Sequence, residues 1–263
     1  MTRAARTTVR LNNAVDMPLI GYGTWQVTAE SIAAAARAGY VAFDSATYYE
    51  TEAAVTEGVR AAGLAVEDMF LTTKVWRKDM GYESTLAAFE RSRRAFDVDT
   101  IDLYLIHWPQ PQASLMIDTW RAFEHLLSRG KVRAIGVSNF GEDDLDLLAR
   151  HCEITPAVNQ IELSPLRPQH KLRAINDERG IVTAAWSPLG QGGPVLQNPT
   201  LRAIADELGV GTAQVILRWL WQKQIVSLPR SNNPDRIAQN IAIDGFELNS
   251  ATVNRIDGLG GRP

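Results

Sequence analysis

The feature that most constrains the fold is a regular alternation of eight short apolar runs with segments of helical periodicity. The predicted strands cover residues 19–22, 40–44, 70–75, 102–107, 133–137, 157–160, 181–186 and 225–228. Most of these runs are continuously apolar, which is typical of parallel strands covered on both faces. Between them, apolar residues recur at helical spacing, as in residues 116–127 and 201–208. Eight β/α units in 263 residues predict a (β/α)8 barrel, with a doubly wound open sheet as the alternative.

The rest of the chain fits a single domain over residues 1–263, because no linker or shift in composition divides it. Residues 8–18 predict a β-hairpin that turns near Asn12 and Asn13 and leads into the first strand. The net charge of −3 argues against a nucleic-acid-binding protein, which would need a basic surface. No apolar run approaches the roughly 20 residues of a membrane span, and the first residues lack a secretory apolar region. Together with the single cysteine, Cys152, these features favour a cytoplasmic protein that binds neither nucleic acid nor membrane.

Polar side chains stand at the C-terminal ends of several predicted strands, where a barrel carries its chemistry. Asp44 ends the second strand and is soon followed by Tyr49, while Lys74 and His107 lie at the ends of the third and fourth. Alone, Asp44 could cap a turn, Lys74 could extend its amine to solvent, and His107 could be a hydrogen-bonded core residue. Together they would face one mouth, which predicts a site. Four tryptophans also follow strands and would ring it: Trp25, Trp76, Trp108 and Trp186.

Eight motifs follow one another along nearly the whole chain: PLIGYGTW (18–25), FDSATYY (43–49), LTTKVW (71–76), DLYLIHWP (102–109), IGVSNF (135–140), AVNQIELSP (157–165), AWSPLGQG (185–192) and LPRSNNPDRIAQN (228–240). Their order and spacing resemble the aldo-keto reductase superfamily, most closely its bacterial 2,5-diketo-D-gluconate reductase-type enzymes. The resemblance implies a (β/α)8 TIM barrel with an N-terminal β-hairpin closing the bottom. It also implies NADP(H) as cofactor, no metal, a monomer, and the reduction of small aldehydes and ketones to alcohols.

By this resemblance the catalytic residues are Asp44, Tyr49, Lys74 and His107. A carbonyl that accepts hydride at carbon develops negative charge on oxygen, and Tyr49 would donate the proton as general acid. A cationic Lys74 beside the phenol favours tyrosinate, so we expect the pKa of Tyr49 to lie below its usual value of about 10. Asp44 would keep Lys74 charged, and His107 would hydrogen-bond the carbonyl oxygen.

The resemblance also assigns an NADP(H) cleft. Trp186 would stack on the nicotinamide ring, and Ser138, Asn139 and Gln160 would bind its carboxamide. The segment that begins at Arg230 would grip the 2′-phosphate, for which guanidinium groups are suited, so NADPH is expected to bind better than NADH. No strand–GxGxxG–helix fingerprint supports a Rossmann site. The complete cofactor set implied is Gly23, Thr24, Asp44, Ser138, Asn139, Gln160, Trp186, Ser187, Pro188, Leu189, Gly190, Arg230, Ser231, Asn232, Arg236, Gln239 and Asn240.

The substrate is expected to lie among aromatic walls that admit many carbonyls and discriminate weakly between them. No arginine is clearly placed to bind a substrate carboxylate, so an enzyme dedicated to keto acids is disfavoured. The predicted substrate residues are Trp25, Tyr48, Trp76, His107, Trp108 and Phe140.

The chain departs from the family pattern at several positions. Thr51 stands where Asn is usual and Arg230 where Lys is usual, and Asn233 replaces an arginine of near relatives, which weakens the expected grip on phosphate. The segment between residues 25 and 44 is shorter by about one helical turn, roughly four residues. The sequence ends at Pro263, before the tail that partly covers the substrate in relatives. We therefore expect a more open pocket.

Two other functions are compatible with a barrel. One is a cofactor-sensing binding module like the family's potassium-channel β-subunits, which the intact set of four catalytic residues disfavours. The other is a metal-dependent hydrolase or isomerase, which would need clustered ligands at strand ends. Apart from His107, the three histidines fall on helical or loop stretches, which disfavours such a site: His125, His151 and His170.

Overall fold

The eight apolar runs form one ring of parallel strands in the computed structural model, which describes residues 3–260. In chain order the strands are β1 (Thr8–Arg10), β2 (Asp16–Pro18), β3 (Tyr22–Gly23), β4 (Ala42–Asp44), β5 (Phe70–Val75), β6 (Ile101–Ile106), β7 (Val132–Ser138), β8 (Val158–Glu162), β9 (Val182–Trp186) and β10 (Val226–Leu228). Strands β3 to β10 pair in sequential order, each parallel to the next. A parallel bridge between Ile20, just before β3, and Ser227 on β10 closes the ring. The predicted (β/α)8 barrel is confirmed, and the open sheet is excluded.

Helices connect the strands and surround the ring. They are α1 (Arg3–Arg6), α2 (Ala29–Ala38), α3 (Glu52–Ala61), α4 (Tyr82–Phe96), α5 (Ala113–Ser128), α6 (Glu142–His151), α7 (His170–Glu178), α8 (Pro194–Gln197), α9 (Pro199–Leu208), α10 (Thr212–Gln222), α11 (Pro234–Ile241) and α12 (Ser250–Asp257). Within residues 3–260, none of these helices is long and apolar enough to cross a membrane. The predicted domain also includes residues 1–2 and 261–263, which lie outside the described residues.

The predicted hairpin covers the end of the barrel at which the strands begin. Strands β1 and β2 pair antiparallel, and the turn between them includes Ala14 with a positive φ of 67°. The side chain of Asn12 donates to the carbonyl of Pro156, just before β8, and that of Asn13 donates to the carbonyl of Arg133 in β7. These contacts fix the hairpin across the bottom, as predicted.

The strand ends predicted from the sequence match those of the structure for β5 and differ by one or more residues for the other strands. Tyr40 was expected to begin a strand, but its amide donates to the carbonyl of Ala35 and completes the C-terminal cap of α2. Gly39 makes this cap possible because its φ of 105° is in the left-handed region. Strand β4 therefore begins two residues later, at Ala42.

The alternation of side chains along each strand determines what faces the barrel interior. On β6, Leu103 and Leu105 pack in the interior cluster, whereas Tyr104 packs outward against the helix layer. Lys74 on β5 is in register with Leu105, and its side chain is fully buried. The barrel interior thus brings a lysine beneath the ends of β4 and β6.

Candidate active site

A cavity of about 730 Å³ opens at the ends of the parallel strands. Three predicted site residues are not on its wall: Lys74, Phe140 and Gly190. The predicted residues that line it are Gly23, Thr24, Trp25, Asp44, Tyr48, Tyr49, Trp76, His107, Trp108, Ser138, Asn139, Gln160, Trp186, Ser187, Pro188, Leu189, Arg230, Ser231, Asn232, Arg236, Gln239 and Asn240.

Lys74 lies beneath the cavity floor, where it forms a buried ion pair with Asp44. Its Nζ donates to Asp44 Oδ1 at 2.6 Å and to the carbonyl of Ser45 at 2.8 Å. Burial alone would lower the pKa of Lys74, but the charge of Asp44 and the hydrogen bond to it outweigh that effect, and the net pKa of Lys74 is raised. Lys74 is therefore an ammonium group at neutral pH. Its Nζ is 4.8 Å from the centroid of the Tyr49 ring.

Tyr49 lies between this ammonium group and His107. Its hydroxyl is 3.4 Å from His107 Nε2. Burial raises the pKa of Tyr49, and the nearby Lys74 ammonium opposes that rise without reversing it. The direction differs from the lowered pKa expected from the sequence, because the cost of burying a tyrosinate is larger than the attraction of the lysine. The phenol accordingly keeps its proton at neutral pH, as a proton donor must.

His107 is a neutral imidazole in this site. Burial, with the positive charges of Lys74 and Arg77, lowers its pKa to about 2. The ring is held edge-on to Trp76, with 5.0 Å between centroids and an interplanar angle of 71°. His107 Nδ1 is buried and makes no hydrogen bond to the described residues. A neutral histidine can donate one hydrogen bond, so His107 can polarise a carbonyl oxygen beside Tyr49 without carrying charge.

The loop that carries Tyr49 is held by a chain of buried hydroxyl groups. Thr51 Oγ1 lies 2.8 Å from Thr24 Oγ1 and 2.9 Å from Ser45 Oγ. Thr24 in turn donates to the backbone carbonyl of Asp44 at 2.9 Å. Thr51 immediately precedes α3, whose first residue, Glu52, accepts a hydrogen bond from Thr73 on β5. These bonds fix the backbone on both sides of Tyr49.

Next to the floor, amide side chains form a second network. Gln160 Nε2 donates to Asp44 Oδ2 at 2.7 Å, and Ser138 Oγ donates to the carbonyl of Gln160 at 2.8 Å. Trp186 Nε1 donates to Asn139 Oδ1 at 2.8 Å. The residues predicted to bind a carboxamide are thus clustered and mutually oriented, and Gln160 is coupled to the ion pair.

The other end of the cavity is basic and polar. Helix α11 begins there, and Asn233 caps it by accepting a hydrogen bond from the amide of Arg236 at 3.0 Å. Arg230 and Arg236 are exposed, and neither forms an ion pair within residues 3–260. A helix N-terminus flanked by two guanidinium groups is suited to a phosphate. Asn233, at which the family pattern predicts an arginine, instead caps this helix.

Aromatic side chains form the wall beside His107. The ring of Tyr48 stacks on Trp25, with centroids 5.4 Å apart, and on Trp76, with centroids 4.2 Å apart. Tyr48 itself is half exposed. Its position leaves Tyr49, rather than Tyr48, beside the lysine.

Phe140 and Gly190 do not line the cavity. Asn139 has a φ of 61°, and beyond it Phe140 is fully buried in the cluster between strands and helices. Gly190 also has a positive φ, of 55°, and a Cβ atom there would lie 2.8 Å from Val195. Their predicted roles in substrate and cofactor binding stay predictions.

Several residues on the wall were missed by sequence reasoning. Gly211, Thr212 and Ala213 form the start of α10, and Gly211 is its N-cap. The sequence signal was a glycine just before a helical run, far from any strand end. The remaining missed residues are Gln191, Gly192, Leu196, Leu228 and Pro229. Among residues 3–260 there is no group of three or more histidine, cysteine or acidic side chains that could hold a metal ion.

Comparisons with known proteins find relatives that match nearly the whole chain. A model of the aldo/keto reductase family matches residues 19–260. A glyoxal reductase of Bacillus subtilis is 44% identical over 264 residues, which cover 98% of this chain and 95% of the relative. The crystal structure of an aldo/keto reductase from Brucella melitensis is 43% identical, with a TM-score of 0.92, and the match covers 96% of this chain and 99% of that one. A mutant of Gox0644 crystallised in complex with NADPH is 36% identical, with a TM-score of 0.91 and coverage of 96% and 93%.

Proposed function

The chain belongs to the aldo/keto reductase family, and from that premise we propose that it reduces aldehydes and ketones to alcohols with NADPH, with Tyr49 as general acid. The predicted family is confirmed, whereas the 2,5-diketo-D-gluconate reductase-type subgroup stays a prediction. The observation that carries the proposal is that Tyr49 lies next to both His107 and the Lys74–Asp44 ion pair at one end of the cavity.

The residues of the cavity fit a phosphorylated dinucleotide. At one end are two guanidinium groups without a counter-ion in the described residues, Arg230 and Arg236, beside the start of α11. At the other end, Trp186 offers an aromatic face next to the amide side chains of Asn139 and Gln160. Arg230 and Arg236 would bind the 2′-phosphate, which is why NADPH is proposed rather than NADH. The remaining cofactor residues assigned from the sequence would line the path between the two ends, apart from Gly190.

The proposed mechanism assigns each catalytic side chain a separate task. When bound, the dihydronicotinamide supplies hydride to the carbonyl carbon. Tyr49 donates its phenolic proton to the carbonyl oxygen as negative charge develops there. Lys74 stabilises the tyrosinate that remains, and Asp44 keeps the lysine protonated in its buried position. His107, neutral, donates a hydrogen bond that orients the carbonyl.

The glyoxal reductase relative suggests dicarbonyls as the first substrates to test. The experiment measures carbonyl-dependent oxidation of NADPH with glyoxal, methylglyoxal and aromatic aldehydes, together with the alcohol formed. We expect one alcohol per NADPH consumed, and slower turnover with NADH. If no carbonyl compound in the panel accelerates NADPH oxidation above the rate without enzyme, the proposed function is wrong.

A further inference from the structure

Arg77 does not itself line the cavity, but it packs against two aromatic residues of the substrate side of its wall. It is the first residue of a short 3-10 turn, Arg77–Asp79, that follows β5, and its side chain is exposed. Its guanidinium carbon is 5.6 Å from the ring centroid of Trp76 and 5.9 Å from that of Trp108. Both tryptophans line the cavity. The guanidinium group therefore lies beside two residues of the cavity wall.

No acidic side chain within residues 3–260 forms an ion pair with Arg77. The nearest acid in the same turn, Asp79, is paired with Arg91 at 2.6 Å. A guanidinium group that packs its face on aromatic rings keeps the N–H donors at its edge free. Such an edge matches the two oxygens of a carboxylate.

The position of Arg77 relative to the catalytic residues sets where that carboxylate would lie. The ring of Trp76 contacts both Arg77 and His107, with 5.0 Å between the Trp76 and His107 centroids. We therefore expect a carbonyl held at His107 and Tyr49 to lie about the length of one aromatic ring from Arg77. A carboxylate directly attached to the carbonyl would be too near the catalytic residues to reach the arginine.

We propose that Arg77 binds a carboxylate on the substrate, so that this enzyme prefers aldehydes and ketones whose carboxylate lies several bonds from the carbonyl. The inference rests on the proposed carbonyl reduction and names a substrate class for it. It also reverses the expectation that no arginine serves a substrate carboxylate. The sequence signal was a cation directly after Trp76 at the end of a barrel strand.

The test compares two aldehydes that differ in charge and little in shape, 4-carboxybenzaldehyde and its uncharged methyl ester. Arg77→Gln removes the charge, Arg77→Lys keeps it without the forked geometry, and Lys78→Gln removes an exposed charge from the same turn as a control. For Arg77→Gln we expect the preference for the acid over the ester to fall roughly five- to tenfold, mainly through KM. Arg77→Lys should retain part of the preference, Lys78→Gln should retain it, and added salt should reduce it in the wild type.

A second readout does not depend on turnover. Binding of 4-(hydroxymethyl)benzoate, measured by quenching of tryptophan fluorescence, should weaken by a similar factor in Arg77→Gln and stay unchanged in Lys78→Gln. Equal binding by the wild type and Arg77→Gln, or an equal loss of kcat/KM for acid and ester, would overturn the role of Arg77. If neither the acid nor the ester is reduced by any variant while the binding difference is present, the proposed function fails and the carboxylate site stands.

Discussion

Gln160 Nε2 donates a 2.7 Å hydrogen bond to Asp44 Oδ2, on the carboxylate oxygen that Lys74 does not use. Lys74 Nζ donates to the other oxygen, Oδ1, at 2.6 Å, and the lysine side chain is fully buried. Both oxygens of the buried carboxylate therefore have partners, which is the condition under which a buried ion pair is tolerated. Asp44 and Lys74 therefore connect Gln160, in the predicted carboxamide site, to the proton donor Tyr49.

Removing Asp44 should leave the Lys74 charge buried without a partner. For Asp44→Ala we expect the free energy of unfolding to fall by about 3–5 kcal/mol, measured by urea denaturation. The double variant Asp44→Ala/Lys74→Met should recover part of that loss, because no unpaired charge remains. Equal stability of the single and double variants would show that the lysine charge is not the cause.

The hydroxyl chain around Thr51 provides a test of how the Tyr49 loop is positioned. Thr51→Val removes the hydroxyl that contacts Thr24 and Ser45, and leaves buried hydroxyl groups short of a partner. We expect a loss of about 1–3 kcal/mol in the free energy of unfolding and a decrease in kcat larger than the change in KM. Thr51→Ser keeps the hydroxyl and should restore both quantities. A Thr51→Val enzyme with wild-type kcat would argue against a positioning function.

The pH dependence of reduction follows from the two perturbed pKa values. His107, with its pKa lowered to about 2, stays neutral, so kcat/KM should show no inflection near the ordinary histidine value of about 6.5. Because Tyr49 must be protonated to act as acid and its pKa is raised, activity should decline only above about pH 10. Initial rates at saturating NADPH, with fluorescence to check folding, provide the profile. A decrease in rate as the pH falls through 6.5 would mean that His107 titrates.

Cofactor selectivity should depend on the two unpaired arginines at α11. Arg230→Gln and Arg236→Gln should each weaken NADPH binding by roughly tenfold while changing NADH binding little, because only NADPH carries the 2′-phosphate. Arg202→Gln, an exposed substitution on α9 outside the cavity wall, is the control. Equilibrium titration by fluorescence measures all four proteins. If the affinities for NADPH and NADH fell by the same factor, the arginines would not be recognising the 2′-phosphate.

Much of the barrel was predictable because buried parallel strands are continuous apolar runs. The run 70–75 agrees with β5 at both ends, and a short 3-10 turn lies one residue beyond each end, at Val66–Asp68 and Arg77–Asp79. The expectation failed at Tyr40, where an apolar side chain before a strand proved to belong to a helix cap. The apolar pattern records burial, and burial alone does not distinguish a helix end from a strand start.

The site was predictable to the extent that its residues end strands. Asp44, Lys74 and His107 all lie at such ends, and the structure brings them together. Phe140 is buried away from the cavity wall, next to the left-handed Asn139, whose conformation the sequence does not specify, so its substrate role stays a prediction. The residues at the start of α10 were missed because they join the cavity only through the packing of a distant helix.

The most direct measurement of the central claim is a single-turnover experiment with Tyr49→Phe. This variant keeps the ring that contacts Trp25 and Lys74 and removes only the hydroxyl. Enzyme loaded with NADPH is mixed with excess glyoxal, and NADPH oxidation is followed by stopped flow. If Tyr49 is the general acid, NADPH should bind as in the wild type and the oxidation rate should fall by about a hundredfold or more. Oxidation at the wild-type rate would contradict the assignment.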